Sequence, residues 1–324
     1  MSKLLTISIP TYNRAQALDR QLMWLATEIL GYESDCEIII SDNCSTDKTA
    51  EILEKWRSVL ASRISFTYHS NEENIGEVGN IVSCLRKATG KFVWSLGDDD
   101  SVQNGTVGYL LSKIKEHSDL SVILLNGCGR DTETNKAATE RFFDSTTDRP
   151  STNSVSEFEH FLRTSIGAVP VISPAVYRTK LLKKAFLAWP DSAKNLASHT
   201  FWMAFCAARG SFIVTPSLYT EYAMGIGSTH HDPKRIFKVI FCGIPDVYLK
   251  LMRSGYSKRF CFSMILQNLR TNNSWRILFG SLKRWPIFAT RGFIHYIRGI
   301  VIATWLFFVR TGGHELLEEI TKMN

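Results

Sequence analysis

The chain has 324 residues, 44% hydrophobic and 21% charged, enough apolar material for a sizeable core and, by length, about two structural units. Nineteen Phe, ten Tyr and eight Trp beside 20 Gly and 9 Pro exclude a disordered, collagen-like or low-complexity chain. The net charge of +7 admits nucleic acid, a membrane surface or an anionic substrate as partner.

The first 130 residues repeat one pattern, a short β-branched run ending in polar residues and then a stretch with helical spacing. That is a βαβ series and predicts a parallel sheet. The first strand is Leu4 to Pro10, followed by a helix with Leu18, Leu22, Leu25 and Ile29 on one face. The second is Glu37 to Ile40, and Thr46 or Asp47 caps a helix bearing Ile52, Leu53, Trp56 and Leu60. The third, Ile64 to Tyr68, leads through the polar loop Asn71 to Gly76 into a helix with Val78, Ile81, Val82 and Leu85 inward, closed by Gly90. The fourth is Lys91 to Leu96, running into Gly97-Asp98-Asp99-Asp100; a helix around Val107 to Ile114 precedes a fifth, Leu120 to Leu125. Residues 131–156 read as a long mobile loop of the kind that forms lids. Apolar segments around Ile166 to Tyr177 and a helix from Ser198 to about Ala208 follow, and residues 233–310 read as mainly helical.

Charge is unevenly placed. Residues 1–233 carry 23 basic and 27 acidic side chains, net −4, whereas residues 234–310 carry 14 basic and one acidic, Asp246, net +13. The seven cysteines form no CxxC pair and no signal peptide precedes them, which fits scattered core thiols in a reduced, cytosolic compartment. The apolar run Gly299 to Val309 has eleven residues, short of the roughly 20 a bilayer crossing needs.

In open parallel sheets, ligands bind beyond the carboxyl ends of the strands, where these polar clusters converge. Three adjacent carboxylates raise one another's pKa unless a cation neutralises them, so Asp98, Asp99 and Asp100 suggest a divalent metal. Oxygen-only ligands favour Mg2+ or Mn2+ holding a diphosphate, although a solvated acidic turn is the plainer account of an isolated triplet. Asp42 could accept hydrogen bonds from a base or ribose, or serve as a turn residue; Tyr12 could stack on a base or pack as a loop aromatic. Gly76-Glu77-Val78-Gly79 is no dinucleotide fingerprint, and the sequence holds no Walker A motif.

In order and spacing, Ser8-Ile9-Pro10-Thr11-Tyr12-Asn13-Arg14, Ser41 through Asp47, Asn74-Ile75-Gly76 with Asn80, and Asp98-Asp99-Asp100 resemble the family 2 glycosyltransferases over roughly the first 105 residues. The resemblance implies an α/β GT-A fold, a mostly parallel sheet flanked by helices, over residues 1–232, with a nucleotide-sugar half (1–130), the mobile loop and an acceptor half (157–232). A basic, mainly helical region would occupy 233–324. It implies metal-dependent, inverting transfer of a sugar from a nucleotide diphosphate to an acceptor hydroxyl on a glycan or lipid-linked glycan, with Mg2+ or Mn2+. By position, Pro10, Thr11, Tyr12, Asn13, Arg14, Asp42, Asn43, Asn74, Gly76, Asn80 and Asp98 fall to the nucleotide-sugar, and Asp99 and Asp100 to the metal. Gly97 stands where the family often has its first Asp, which makes Asp99 the direct metal ligand. The GDDD run is most similar to transferases that add side-branch sugars in O-antigen or polysaccharide synthesis.

Where the family commonly places an aspartate base, this chain reads Ala197-Ser198-His199-Thr200. His199 has a suitable pKa for that role, a buried structural histidine being the other reading; Asp191 is the reserve base, and His230-His231 could reach a metal or phosphate from a late loop. The basic segment, strongly apolar as well, suits an anionic membrane surface on the cytoplasmic face better than nucleic acid, which is not expected as a partner. Arg stems covering a helical core would account for it too. A sugar nucleotidyltransferase would want a Gly-rich basic loop after the first strand, and a non-catalytic membrane or nucleic-acid adaptor would carry a degenerate site.

Overall fold

β1 (Leu5–Thr11) leads through α1 (Ala15–Glu28) to β2 (Cys36–Asp42), then α2 (Thr49–Leu60), β3 (Ser65–Ser70), α3 (Glu77–Arg86) and β4 (Phe92–Ser95). A two-residue strand, β5 (Ser101–Val102), and α4 (Thr106–Glu116) precede the long β6 (Leu120–Asp131). After them come β7 (Ala137–Thr139), α5 (Ser154–Thr164), β8 (Ala175–Arg178), α6 (Thr179–Ala188), a 3-10 turn (Pro190–Lys194), α7 (Ser198–Ala207) and β9 (Ser211–Met224). The computed structural model describes residues 3–131, 134, 136–165, 173–224, 232–270 and 272–308. It divides into two units, residues 1–228 and 229–324.

Among the described residues the first unit holds one nine-stranded sheet, ordered β3-β2-β1-β4-β8-β6-β9-β5, with β7 added beside β6. β3, β2, β1 and β4 run parallel, β8 runs antiparallel to both its neighbours, and β9 runs parallel to β6. Strands covered on both faces read as unbroken apolar runs, and Ile7, Ile9, Ile38, Ile40 and Trp94 are all fully buried. The register sets the site. Thr11, Asp42 and Ser70 lie side by side across β1, β2 and β3. Ser8 pairs with Ser95, and Leu96 N–H donates to Ser8 O at 2.9 Å, so the chain leaving β4 delivers Gly97 to Asp100 to the level of Thr11.

Several expected details differ. α2 begins at Thr49, and Asp47 rather than Thr46 meets it, accepting from Thr49 N–H at 3.0 Å. Gly90 does not close α3, which ends at Arg86. A side-chain carbon there would stand 2.8 Å from the Thr6 backbone nitrogen, so Gly90 permits close approach of two strand starts. Segment 131–156, expected as a mobile loop, contains β7 and the start of α5, and is pinned by Asn126: its amide donates to Phe143 O at 2.7 Å and accepts from Phe143 N–H at 3.0 Å. Phe143 is buried against Phe161. The apolar segment from Ile166 lies, up to residue 172, outside the described residues.

The second unit comprises α8 (Pro233–Lys238), a π-helical turn (Val239–Gly243), α9 (Ile244–Met252), α10 (Lys258–Arg270), α11 (Asn272–Arg284) and α12 (Pro286–Phe308). α12 approaches its neighbours through a stripe of small residues, Ala289, Gly292, Gly299 and Ala303; a side-chain carbon at Gly292 would collide with the Phe237 ring at 2.3 Å. Phe237 and Phe241 stack at 4.6 Å, and Tyr296 OH donates to Ile265 O inside this core. No helix among the described residues is long and apolar enough to cross a membrane.

His295 on α12 lies 2.9 Å from Asp246 on α9, and that hydrogen bond raises the imidazole pKa against the opposing effect of burial. A raised folded-state pKa gives stability that is complete below the ordinary value of about 6.5 and is lost as pH rises through the folded value. The melting-temperature advantage of the wild type over His295→Gln should therefore shrink between about pH 6 and 8. A difference independent of pH would show that the bond is not charge-assisted.

Candidate active site

The turns after β1 and β2 are braced against each other. Asn13 and Cys44 both take left-handed backbone conformations, at φ 52° and 64°. Asn13 N–H donates to Ser45 Oγ and its side-chain oxygen accepts from Thr46 N–H, both at 2.8 Å. Asp47 accepts from Ala15 N–H at 3.0 Å, so the β2 turn also serves the start of α1. Asn13, expected as a donor-binding residue, uses its side-chain oxygen to hold the β2 turn.

A lattice of amides joins the β2 turn to the β3–α3 loop. Asn43 donates to Asn74 Oδ1 at 2.8 Å and accepts from Asn71 Nδ2 and Ile75 N–H, each at 3.1 Å. Asn80, buried in the first turn of α3, donates to Thr11 O (3.2 Å) and Ser41 O (3.0 Å) and accepts from Ser41 Oγ (2.6 Å) and Asn71 Nδ2 (3.0 Å). Both ends of the Asn80 amide are thus satisfied within the protein. Asn74 also accepts from Gly76 N–H at 2.9 Å, supporting a residue whose φ of 80° suits glycine and whose Cα faces open space. His69 reaches Ser41 Oγ at 2.9 Å and Ser83 Oγ at 3.3 Å, and burial followed by the nearby Lys87 charge lowers its pKa. Asp42 is buried and accepts from Ser45 N–H (3.2 Å) and Ser70 Oγ (3.1 Å).

The acidic turn is arranged unequally. Asp98 is buried and accepts from Thr11 Oγ1 at 2.6 Å; burial pushes its carboxyl up to about 6, against the lowering effects of Arg14 and Thr11. Asp99 is half-exposed. One guanidinium nitrogen of Arg14 meets both residues, 3.1 Å from Asp98 Oδ1 and 2.5 Å from Asp99 Oδ2. Burial would lower the Arg14 pKa, but the adjacent carboxylates outweigh it and raise it. Asp100 folds inward, where Ser173 Oγ donates to it and burial pushes it up to about 7. Ser173 Oγ also accepts from Gly97 N–H at 2.7 Å, and its carbonyl accepts from Trp94 Nε1 at 2.8 Å.

This explains Gly97. A side-chain carbon there would stand 2.4 Å from Asp100 Oδ2, so the Asp100 carboxylate fills the space an aspartate at 97 would need. Asp99 and Asp100, the expected metal ligands, have different partners in the protein: Asp99 meets Arg14, and Asp100 meets Ser173. Among the described residues no three acidic, His or Cys side chains form a metal cage. The donor set nevertheless fits a hard cation held largely by a diphosphate, since Mg2+ commonly uses only one or two protein carboxylates and Asp99 is presented for one.

Tyr12 is 42% exposed and offers its ring at the rim, with Pro10 behind it half-buried. On the acceptor side, His199 sits in the first turn of α7, buried, edge-on to Trp202 with ring centres 4.7 Å apart. Asp191 lies exposed on the 3-10 turn, 3.1 Å from Lys194. His230 and His231 lie outside the described residues. Sequence reading missed Ser173, which sits in an apolar stretch with no motif around it, and Tyr222, a buried β9 residue whose phenol feels the Asp100 charge.

An exposed aromatic, an arginine and an acidic turn thus gather at the strand ends of a mixed α/β sheet of the GT-A type, the place where ligands of open α/β sheets bind. The family model "Glycosyl transferase family 2" matches residues 6–186, and the chain belongs to that family. It is 31% identical over 117 residues to abequosyltransferase RfbV of Salmonella typhimurium, covering 36% of this chain and 34% of that protein. It is 27% identical over 200 residues to the poly(ribitol-phosphate) beta-N-acetylglucosaminyltransferase TarS of Staphylococcus aureus, covering 61% of this chain and 31% of TarS. Among solved structures, S. aureus TarS 1–349 superposes with a TM-score of 0.64 at 20% identity over 93% of this chain and 80% of that one. Mannosyltransferase PcManGT of Pyrobaculum calidifontis, solved with GDP-Man and Mn2+, superposes at 0.58 and 17% identity over 94% and 85%.

If the amide lattice holds the cleft, Asn80→Ala leaves the Ser41 and Thr11 carbonyls without their amide donor. The cost should be about 2–4 kcal/mol in denaturant unfolding. A loss below about 0.5 kcal/mol, the scale of an ordinary surface change, would show that the lattice is dispensable.

Proposed function

We propose that the chain is an inverting, metal-dependent glycosyltransferase that moves a sugar from a nucleotide diphosphate to an acceptor hydroxyl of a glycan or lipid-linked glycan in cell-envelope or polysaccharide assembly. The acidic turn carries this reading. It sets a buried carboxylate, Asp98, beside a half-exposed one, Asp99, at strand ends that also present an exposed aromatic and an arginine. Family membership supports it, as does likeness to an abequosyltransferase and an N-acetylglucosaminyltransferase.

Tyr12 would stack on the base, with Asp42 and the Gly76 backbone at the nucleoside, and Arg14 would take a diphosphate oxygen. Mg2+ or Mn2+, held by Asp99 and the diphosphate, would supply charge stabilisation for the leaving group. Asp98, fixed by Thr11, would orient the donor; Asp100, fixed by Ser173, would shape the sugar pocket. His199 is our choice of base: it stands at the start of α7, and the Trp202 ring holds its orientation. An imidazole can take a proton from the acceptor hydroxyl near neutral pH. With donor and acceptor saturating, Asp99→Ala should lose metal-dependent transfer and His199→Ala should lower kcat by 10²–10⁴-fold. Full activity in Asp99→Ala contradicts the reading, and normal turnover in His199→Ala moves the base to Asp191.

We further propose that the second unit rests peripherally on an anionic membrane surface on the cytoplasmic side. Residues 258–308 contain eight Lys or Arg and no acidic residue. Ile287, Ile294 and Val301 recur every seven residues on α12 and are all more than half exposed, with Arg291 and Arg298 exposed beside them. Apolar side chains flanked by cations suit the headgroup boundary of an anionic bilayer. The protein should sediment with vesicles containing phosphatidylglycerol and not with pure phosphatidylcholine, and Ile294→Asp should release it. Equal binding to both vesicle types, or none, would contradict this.

A further inference from the structure

Resting on the transferase reading, we infer that Arg14 is a resident counter-cation that blocks the metal site until a diphosphate draws it away, so that metal and donor bind as a coupled pair. A single nitrogen of Arg14 bridges Asp98 Oδ1 and Asp99 Oδ2. An incoming divalent ion needs the Asp99 carboxylate that this nitrogen already holds. Guanidinium does not deprotonate at any physiological pH, so the competition ends only when the side chain moves. Arg14 is free to do so: it is 41% exposed on a long stem, whereas Asp98 is fixed from behind by Thr11.

A diphosphate offers the guanidinium oxyanions in the same paired geometry as a carboxylate. Once Arg14 turns to it, Asp99 is released to a cation that the diphosphate also binds. Each ligand then removes the other's obstacle, and by linkage the enhancement must be equal in both directions. The three consecutive aspartates thus have separate partners within the protein: Asp98 and Asp99 share Arg14, while Asp100 meets Ser173.

The test is Mn2+ binding, followed by the electron paramagnetic resonance signal of free Mn2+ in the full-length chain, with and without inorganic pyrophosphate and corrected for the Mn2+–pyrophosphate complex. Wild type should bind Mn2+ alone weakly and more tightly with pyrophosphate. Arg14→Gln should bind Mn2+ alone on the order of tenfold more tightly than wild type, the scale of one short charge pair at a half-exposed site. In that variant the pyrophosphate enhancement should be smaller than in wild type, the remainder being direct coordination of Mn2+ by the diphosphate, whereas Arg14→Lys should keep the weak binding of wild type. Unchanged melting temperatures would confirm that the variants fold. Equal or weaker Mn2+ binding by Arg14→Gln overturns the inference, as does the same pyrophosphate enhancement in both proteins. The transferase reading fails separately, through absence of transfer from every nucleotide-sugar.

Discussion

Three carboxylates on consecutive residues, at the end of a strand buried on both faces, are the constraint around which the cleft is built. Burial pushes two of the three carboxyls up, Asp98 to about 6 and Asp100 to about 7, against the lowering effects of the donors and the cation around them. The protein meets the problem residue by residue. Thr11 and Arg14 serve Asp98, Arg14 also serves Asp99, and Ser173 takes Asp100. Breaking such an arrangement from one side leaves a buried charge without its partner, which costs more than the arrangement itself contributes. The glycine at 97 belongs to the same solution, because a larger residue would displace the Asp100 carboxylate.

Around that turn the polar residues divide into two groups. Asn13, Asn43, Asn74 and Asn80 bond chiefly to one another and to backbone, fixing three loops at the sheet edge. Tyr12, Arg14 and Asp99 are left at the rim, exposed to two-fifths or more. Rigid support beneath a few presented side chains is what precise placement of a diphosphate requires. The second unit has its own logic. Small residues let α12 close on its neighbours, and larger apolar and cationic side chains remain outward.

Much of this was legible in the sequence because the parallel strands are covered on both faces. Apolar runs such as Ile38-Ile39-Ile40 announce them, and the polar residue after each run marks the site edge. Strands of two or three residues, β5 and β7, carry no periodicity to detect. Segment 131–156 reads as a loop from its composition, and the interaction that holds it, Asn126 to Phe143, joins residues 17 apart and leaves no local signal. Site residues could be located but their partners could not. Amide-to-amide bonds leave no pattern along the chain, so the partners of Asn43 and Asn80 could not be read from it. Ser173 was invisible because its importance comes from β8 lying beside β4, a pairing of distant segments.

We propose that the acidic turn binds a nucleotide diphosphate together with a cation. The most direct measurement is thermal unfolding with UDP-, GDP-, CDP- and dTDP-sugars, each in Mn2+ and in EDTA. Binding at a hundred times the dissociation constant stabilises by about 2.7 kcal/mol, a readily measured shift. At least one nucleotide class should raise the melting temperature in Mn2+ and lose most of that effect in EDTA. No shift with any nucleotide-sugar, or the same shift with and without metal, would contradict it.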